Sequence, residues 1–481
     1  MIMPMCARMA FNDKTVDSKP TTPIRRAGDL EQYYNVASRI GITQWVIVSA
    51  RYEHPSLNIV SKPVLFTALG EVVRSLAALH ARLPPPSEPP IWQRLPSVDL
   101  TKVVIWLDRN RDDLKAIYEE ICITPMEFSE DVPWWKLYVL RDGTVVFAFN
   151  HTIGDGQSGL AFHNALFHAL NSLKDEDIPS EHSGLVTDLP QNLPLTPSLE
   201  EAAPRQLSIP FSMFIRVILE TFLPILFSWK KKGDWSGRPV AAMITPEINV
   251  RILRYTAEDA TTLLKLSREH QATLTATLHT LAFVVLSRLI RALPNGEGEK
   301  YQKIVTSYPI SMRRYTGAPE TAMCVHFSHS QEPQDLLPAS AGTDAKSFPW
   351  NAAKRHTEFL REELLHTGPI IGMLQFLFGR YEEYFRGHLG KKRSAGLTIS
   401  NLGTFNPKRP KGVEGAWTIS DTLFSQGDAT LGAALKLNVT GSPEGGLGIL
   451  VTWGTSAVEK SFAEEFARGF EDGLQDLIRG Q

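Results

Sequence analysis

A histidine is followed four residues later by aspartate and then glycine, in His151-Thr-Ile-Gly-Asp155-Gly156. An imidazole with an unperturbed pKa near 6.5 is suited to taking a proton from a hydroxyl at neutral pH. A base of this kind needs rigid placement. Thr144 to Phe149 is rich in β-branched and aromatic side chains, as a strand prefers. Asp142-Gly143 before it is the pair of a tight hairpin turn, with Trp134 to Leu140 as partner strand. After the motif, Ser158 to Leu173 places Leu160, Ala161, Leu166, Phe167, Leu170 and Leu173 at close to a helical period. The histidine therefore ends a paired strand and precedes a glycine-broken turn and a helix. With thirteen histidines, a chain of this size carries the hexapeptide by accident about once in twenty, so the flanking strand and helix matter. The competing reading is a core histidine at a strand end, with Asp155 as an ordinary turn residue.

The elements that must position this turn run through the whole chain. At 481 residues, length predicts two domains or more. Apolar content of 43% and charged content of 21% are those of a globular protein. Net charge is −2, and no basic run interleaved with aromatics occurs, so nucleic acid is not an expected partner. Cys6, Cys122 and Cys324 are odd in number, far apart and without metal-ligand spacing. That favours a reducing compartment and predicts neither disulfides nor a metal site. Met1 to Pro20 has no apolar stretch of secretory length. Asn150-His-Thr152 and Asn438-Val-Thr440 are formal glycosylation sequons. A glycan on Asn150 would sit beside the proposed base, a conflict that a cytoplasmic enzyme avoids.

In chain order, residues 1 to about 26 are polar and expected to be loose. Asp29 to Ile40 reads as a helix, Thr43 to Arg51 as a strand and Val64 to Leu83 as a long helix stopped by Pro84, Pro85 and Pro86. Val103 to Leu107 is a further strand. From Lys174 the character changes: six prolines between Pro179 and Pro210 mark a linker. Phe211 to Trp229 is strongly apolar and precedes Lys230, Lys231 and Lys232. Arg216, Glu220 and Pro224 argue against a transmembrane span. Such a helix either packs on the protein near the substrate mouth, the commoner case, or lies in a membrane interface. The second half supplies strands at Asn249–Tyr255, Ile304–Ile310 and Ala395–Ser400, and helices at Thr273–Leu293, Lys354–Leu365 and Ile370–Tyr381. Residues 328 to 350 read as a long loop. Strand-like Gly432–Thr440 and Gly448–Trp453 precede a helix from Ser461 to Ile478. This repeats the hairpin and helix around His151, with Gly454 in the histidine's place, and suggests an internal duplication.

The His-x-x-x-Asp-Gly motif resembles that of the CoA-dependent acyltransferase superfamily, with its chloramphenicol-acetyltransferase-like fold. Pro133-Trp-Trp-Lys-Leu-Tyr138, Phe147-Ala-Phe-Asn-His151, Asp155-Gly-Gln-Ser-Gly159 and Phe162 to Asn171 together resemble the central block of the alcohol acetyltransferase family. Ile399-Ser-Asn-Leu-Gly403 is similar to that family's C-terminal element. Asn150 stands where condensation domains carry a second histidine, and the Asp-Phe-Gly-Trp-Gly motif of the plant enzymes is absent; both argue against those branches.

The resemblance implies an α/β (α+β) fold of two similar domains, each a mixed β-sheet with flanking helices, with a tunnel between them. The expected division is 27–175, a crossover linker at 176–246 holding the 211–229 helix, and 247–481. It implies a monomeric O-acyltransferase that moves an acyl group, foremost acetyl from acetyl-CoA, to a small-molecule alcohol. No bound cofactor is expected; the thioester is a co-substrate. His151 would be the general base, with no covalent acyl-enzyme. Asp155 would orient the turn through an ion pair with an arginine, for which Arg313 and Arg314 are candidates. Gly156 leaves room for substrate. Ser400 and Asn401 would lie along the tunnel, or else form only a strand-end turn. His163 and His168, five apart, are expected to be packing or surface residues. The expected setting is cytoplasmic, or peripheral to the endoplasmic reticulum or lipid droplets. The rival readings are an acyltransferase fed by a carrier protein and a non-catalytic binder of an apolar ligand or membrane.

Overall fold

The computed structural model describes residues 22–480, apart from 44, 56–60, 175, 177, 214, 216–218, 220–232, 409–415 and 428–429. Most of the expected 211–229 helix, and the N-terminal stretch before Thr22, lie outside the described residues.

Two mixed sheets organise the chain. The first has five strands in the order Thr418–Gln426, Trp45–Glu53, Thr144–Asn150, Trp135–Leu140 and Val104–Leu107. Thr144–Asn150 is central, and every one of its residues is buried. It is antiparallel to both neighbours, while Val104–Leu107 runs parallel to Trp135–Leu140. A strand covered on both faces needs a continuous apolar run, and Val-Val-Phe-Ala-Phe supplies one. The helix Gly156–Ser172 covers this sheet. It approaches so closely that a Cβ on Gly159 would lie 2.2 Å from Val48 Cγ2.

The second sheet has seven strands. Its path runs Asp234–Trp235, Lys303–Ser311, Leu397–Thr404, Leu435–Gly441, Leu447–Gly454 and Ile248–Tyr255, and Phe327–Asp335 pairs with Lys303–Ser311. Leu274–Arg291 and Lys460–Arg479 pack on it. Leu274–Arg291 is long and apolar enough to cross a membrane, but most of it is buried inside the protein, as a core helix requires. The hairpin Leu435–Gly441/Leu447–Gly454 and the helix after it repeat the unit around His151. The Thr418–Gln426 strand comes from the second half of the sequence yet completes the first sheet, hydrogen-bonded along Trp45–Glu53.

Several elements depart from expectation, each for a tertiary reason. Thr22–Arg26 is ordered because it pairs with Ile91–Arg94. The Val64–Leu83 helix is instead Lys62–Ser75, then a 3₁₀ turn at Ala77–His80. Ala81–Arg82 must pair with the Ile91–Arg94 strand, and that extended pairing ends the helix well before the proline run. The expected loop at 328–350 contains a nine-residue strand, Phe327–Asp335. Pro333 is tolerated there because this strand is paired on one side only. The Ile370–Tyr381 helix is broken in two by left-handed Phe378 and Gly379, with φ of +50° and +79°. The Ala395–Ser400 strand runs on to Thr404 through an irregularity at Gly403, φ +78°.

The proline-rich segment is not a free linker. Leu185–Val186 pairs with Val98–Asp99, the Thr196 carbonyl accepts from Arg25, and Glu200 accepts from the Leu30 amide.

Candidate active site

The central strand delivers His151 to the wall of a cavity of about 250 Å³. Asn150, fully buried, shapes the turn beyond it: its Oδ1 accepts from the Thr152 amide at 2.7 Å. This asparagine and Asn438, the two sequon residues, are both sealed in the interior, so neither is a glycan acceptor in the folded chain.

The imidazole lies between two aromatic faces. Tyr34 stacks on it at 4.0 Å between centroids and 18° between planes, and Phe327 flanks it at 5.3 Å and 29°. Nδ1 is buried without a hydrogen bond of good geometry, although the His151 and Gly154 carbonyls lie close to the ring. Nε2 has no protein partner either but is not sealed off, so it is the ring atom open to the cavity. Burial pushes the imidazole pKa below its ordinary value, and backbone carbonyls and the nearby Asp155 charge only partly offset this. A neutral ring at pH 7 follows, which is the form that can accept a proton.

Asp155 points elsewhere. It is 5% exposed and caps the Gly156–Ser172 helix, accepting from the Ser158 amide at 3.0 Å and its hydroxyl at 2.9 Å. The same oxygen accepts from Arg313 Nη2 at 2.8 Å, and the other accepts from the His326 amide. Burial alone would raise this carboxyl, but the Arg313 guanidinium and the Ser158 bonds outweigh it and hold the pKa below the usual range. Arg313 is itself only 8% exposed and also donates to the carbonyls of Pro319 and Ala322. Arg314 lies over the Tyr315 ring instead. The Asp155 amide donates to Cys324 O, and Ser158 Oγ bonds both the amide and carbonyl of Cys324. The turn after His151 is thus tied to the second half by a buried ion pair and neutral hydrogen bonds.

Gly156 lines the cavity where Leu402 and Phe424 crowd in; a Cβ there would meet them at 2.7 and 3.1 Å. Ser400 and Asn401 line it as well. Ser400 Oγ accepts from Gln426 Nε2, while Asn401 holds the Gly403 amide and donates to Thr275. Asn401 therefore stands on the cavity wall, and because its strand continues to Thr404 it does not form a strand-end turn. A second cavity, of about 1000 Å³, shares Gln157, Pro309, Ile310, Ser311, Asn401 and Leu402 with the first. Arg314, Arg361 and Lys408 are among its walls. Both cavities draw their walls from both halves of the chain, and His151 lines the smaller of the two.

His163 is buried, bonded to Tyr52 and Val48, with its pKa pushed down to about 4; His168 is exposed on the rim of the larger cavity. Burial raises the Cys122 thiol to about 12 and raises Cys324 too, which suits neither to nucleophilic attack. Tyr34, Phe327 and His329 are cavity residues that motif reading missed. Phe327-Ser-His-Ser-Gln331 does alternate large and small residues, a period of two that could have revealed a strand.

This two-sheet architecture, with a histidine on the wall of the smaller of two adjoining cavities, defines the chloramphenicol-acetyltransferase-like acyltransferase fold. It superposes on TRI3 trichothecene 15-O-acetyltransferase from Fusarium sporotrichioides with a TM-score of 0.68 over 95% of this chain and 96% of that one, at 12% identity. It superposes on the first condensation domain of the calcium-dependent antibiotic synthetase with a TM-score of 0.56, at 15% identity over 96% and 97% of the two chains. The family model for alcohol acetyltransferases matches residues 112–473. The chain belongs to the alcohol acetyltransferase family and is an acyltransferase. It is 24% identical to the probable alcohol acetyltransferase crmB of Aspergillus fumigatus, over 92% of this chain and 97% of that protein. It is 23% identical to the probable alcohol acetyltransferase FCK4 of Fusarium pseudograminearum, over 82% and 81%.

Proposed function

We propose that this enzyme transfers an acetyl group from acetyl-CoA to one hydroxyl of a hydroxylated small molecule of specialised metabolism, acting as a monomer with His151 as general base. His151 Nε2 accepts the hydroxyl proton as the oxygen attacks the thioester carbon. The tetrahedral intermediate collapses, the carbon–sulfur bond breaks, and the imidazolium returns the proton to the departing thiolate. No acyl-enzyme forms.

The observation that carries this reading is the neutral, unpartnered Nε2 facing the smaller cavity, which adjoins the larger one through six shared lining residues. The acceptor fits the smaller cavity. The cationic walls of the larger one suit the phosphates of CoA. Tyr34 and Phe327 hold the ring plane and present π faces to the transient imidazolium, which offsets part of its desolvation. Trichothecene 15-O-acetyltransferase, a solved structure of the same fold, supports a multifunctional acceptor over a simple alcohol. The test is incubation with a panel of acyl-CoAs and alcohols, following free thiol. Release that needs both an alcohol and an intact His151 is expected; release without alcohol, or unchanged in His151→Ala, overturns the reading.

A further inference from the structure

The floor of the acceptor cavity is made by two paired strands. Ser311 lies opposite Phe327, Pro309 opposite His329, and Ser307 opposite Gln331. All six line the cavity. Alternation along Phe327–Asp335 explains why: Ser328 and Ser330 are buried on the other face, while Phe327, His329 and Gln331 keep some exposure. The floor changes character with distance from the base. Phe327 touches His151 as an apolar face. His329 follows two residues on, about 7 Å farther along the strand. Gln331, at the outer end, is exposed.

The rest of the lining includes the apolar faces of Tyr33, Ile42, Phe385 and Leu431. His329 forms no hydrogen bond through its ring among the described residues, and its nitrogens are not sealed off. A polar ring aimed into a ligand cavity with no protein partner is an arrangement that a ligand oxygen completes. An unmet donor costs free energy whenever a purely hydrocarbon ligand displaces its water.

We propose that the acceptor is a rigid alcohol carrying a second oxygen function, hydroxyl or carbonyl, placed along the strand beyond Phe327, and that His329 recognises that oxygen. The inference rests on His151 being the base at the inner end of the same floor. His329 takes no proton in the reaction. It sets which alcohols bind and which hydroxyl reaches Nε2.

The test uses acetyl-CoA with two matched bicyclic alcohols, decahydronaphthalen-2-ol and its 6-oxo analogue, each with one reactive hydroxyl. Wild-type kcat/KM should favour the keto-alcohol by roughly tenfold, the scale of one retained hydrogen bond. His329→Leu should remove that preference, mainly by raising KM for the keto-alcohol towards that for the mono-alcohol; His329→Gln should retain part of it. Equal use of both alcohols by wild type, or an equal loss on both in His329→Leu, overturns the inference while His151-dependent thiol release still stands. Absence of thiol release with either alcohol overturns both.

Discussion

Replacing Asp155 by asparagine separates a scaffold role from a direct catalytic one. Asparagine caps helices about as well as aspartate, so the bond to the Ser158 amide survives. What goes is the charge opposite Arg313, at a site where both side chains are less than 10% exposed. The guanidinium keeps the Pro319 and Ala322 carbonyls but is left as a buried, uncompensated cation. Breaking such a pair from one side costs about 3–5 kcal/mol. With an unfolding entropy near 2.1 cal/mol/K per residue, the 481-residue chain loses about 1 °C per kcal/mol, so Tm should fall by about 3–5 °C. Arg313→Met should cost a similar amount. The double variant should lose clearly less than the sum, because no charge is stranded. Activity should fall along with stability, since the turn that aims His151 loosens. The acid side carries a signature as well. A carboxyl depressed in the folded state stabilises above its unfolded pKa, near 3.9, and that contribution is lost as pH falls through the folded value. The Asp155→Asn difference from wild type should therefore shrink below about pH 4. Calorimetry and thiol-release kinetics on the four proteins decide the matter. An Asp155→Asn protein within about 1 °C of wild type that has lost activity would show the carboxylate acting on the reaction itself.

His151→Ala should lower kcat by about 10²–10⁴ with an unchanged melting curve; turnover at the wild-type level would falsify the base assignment. Since burial depresses the His151 pKa, kcat/KM should rise from the acid side with an inflection below the ordinary 6.5 and stay flat through pH 7–8; an inflection above 6.5 counts against the cause given. Tyr34→Leu keeps bulk but removes the stacked π face, so kcat should drop by roughly fivefold, about 1 kcal/mol, with little change in KM for acetyl-CoA. Gly156→Ala pushes a methyl towards Leu402 and Phe424, and should raise KM for the alcohol without a comparable loss of Tm; unaltered kinetics would mean that this wall gives way. Phe211, Ile215 and Leu219 are all exposed, so co-flotation with liposomes is expected, and a protein confined to the soluble fraction has no interfacial segment there.

Local signals carried far in this sequence wherever local chemistry decided the outcome. The Asp142-Gly143 turn, the apolar run into His151 and the capped helix behind it are self-contained, and all three stand where the residues place them. Long-range pairing was another matter. Nothing within Thr418–Gln426 says that its partner is Trp45–Glu53, more than 350 residues earlier. Phe327–Asp335 holds polar residues and a proline, so its strand character comes from the neighbour it lines up with. For the same reason the motif pointed to His151 and Asp155, while Tyr34 and His329 emerged only when separate elements converged on one cavity. The choice between Arg313 and Arg314 turned on a buried side-chain direction that adjacent arginines in a sequence do not reveal.

The borrowed strand constrains how substrates come and go. Because Thr418–Gln426 is stitched into the opposite sheet, the two lobes cannot swing apart like a clamshell without tearing a ladder of backbone bonds. Ligands must therefore reach the cavities without a lobe-opening motion of that kind. An N-terminal fragment made alone would also leave Trp45–Glu53 as a bare edge, ready to recruit another copy and precipitate.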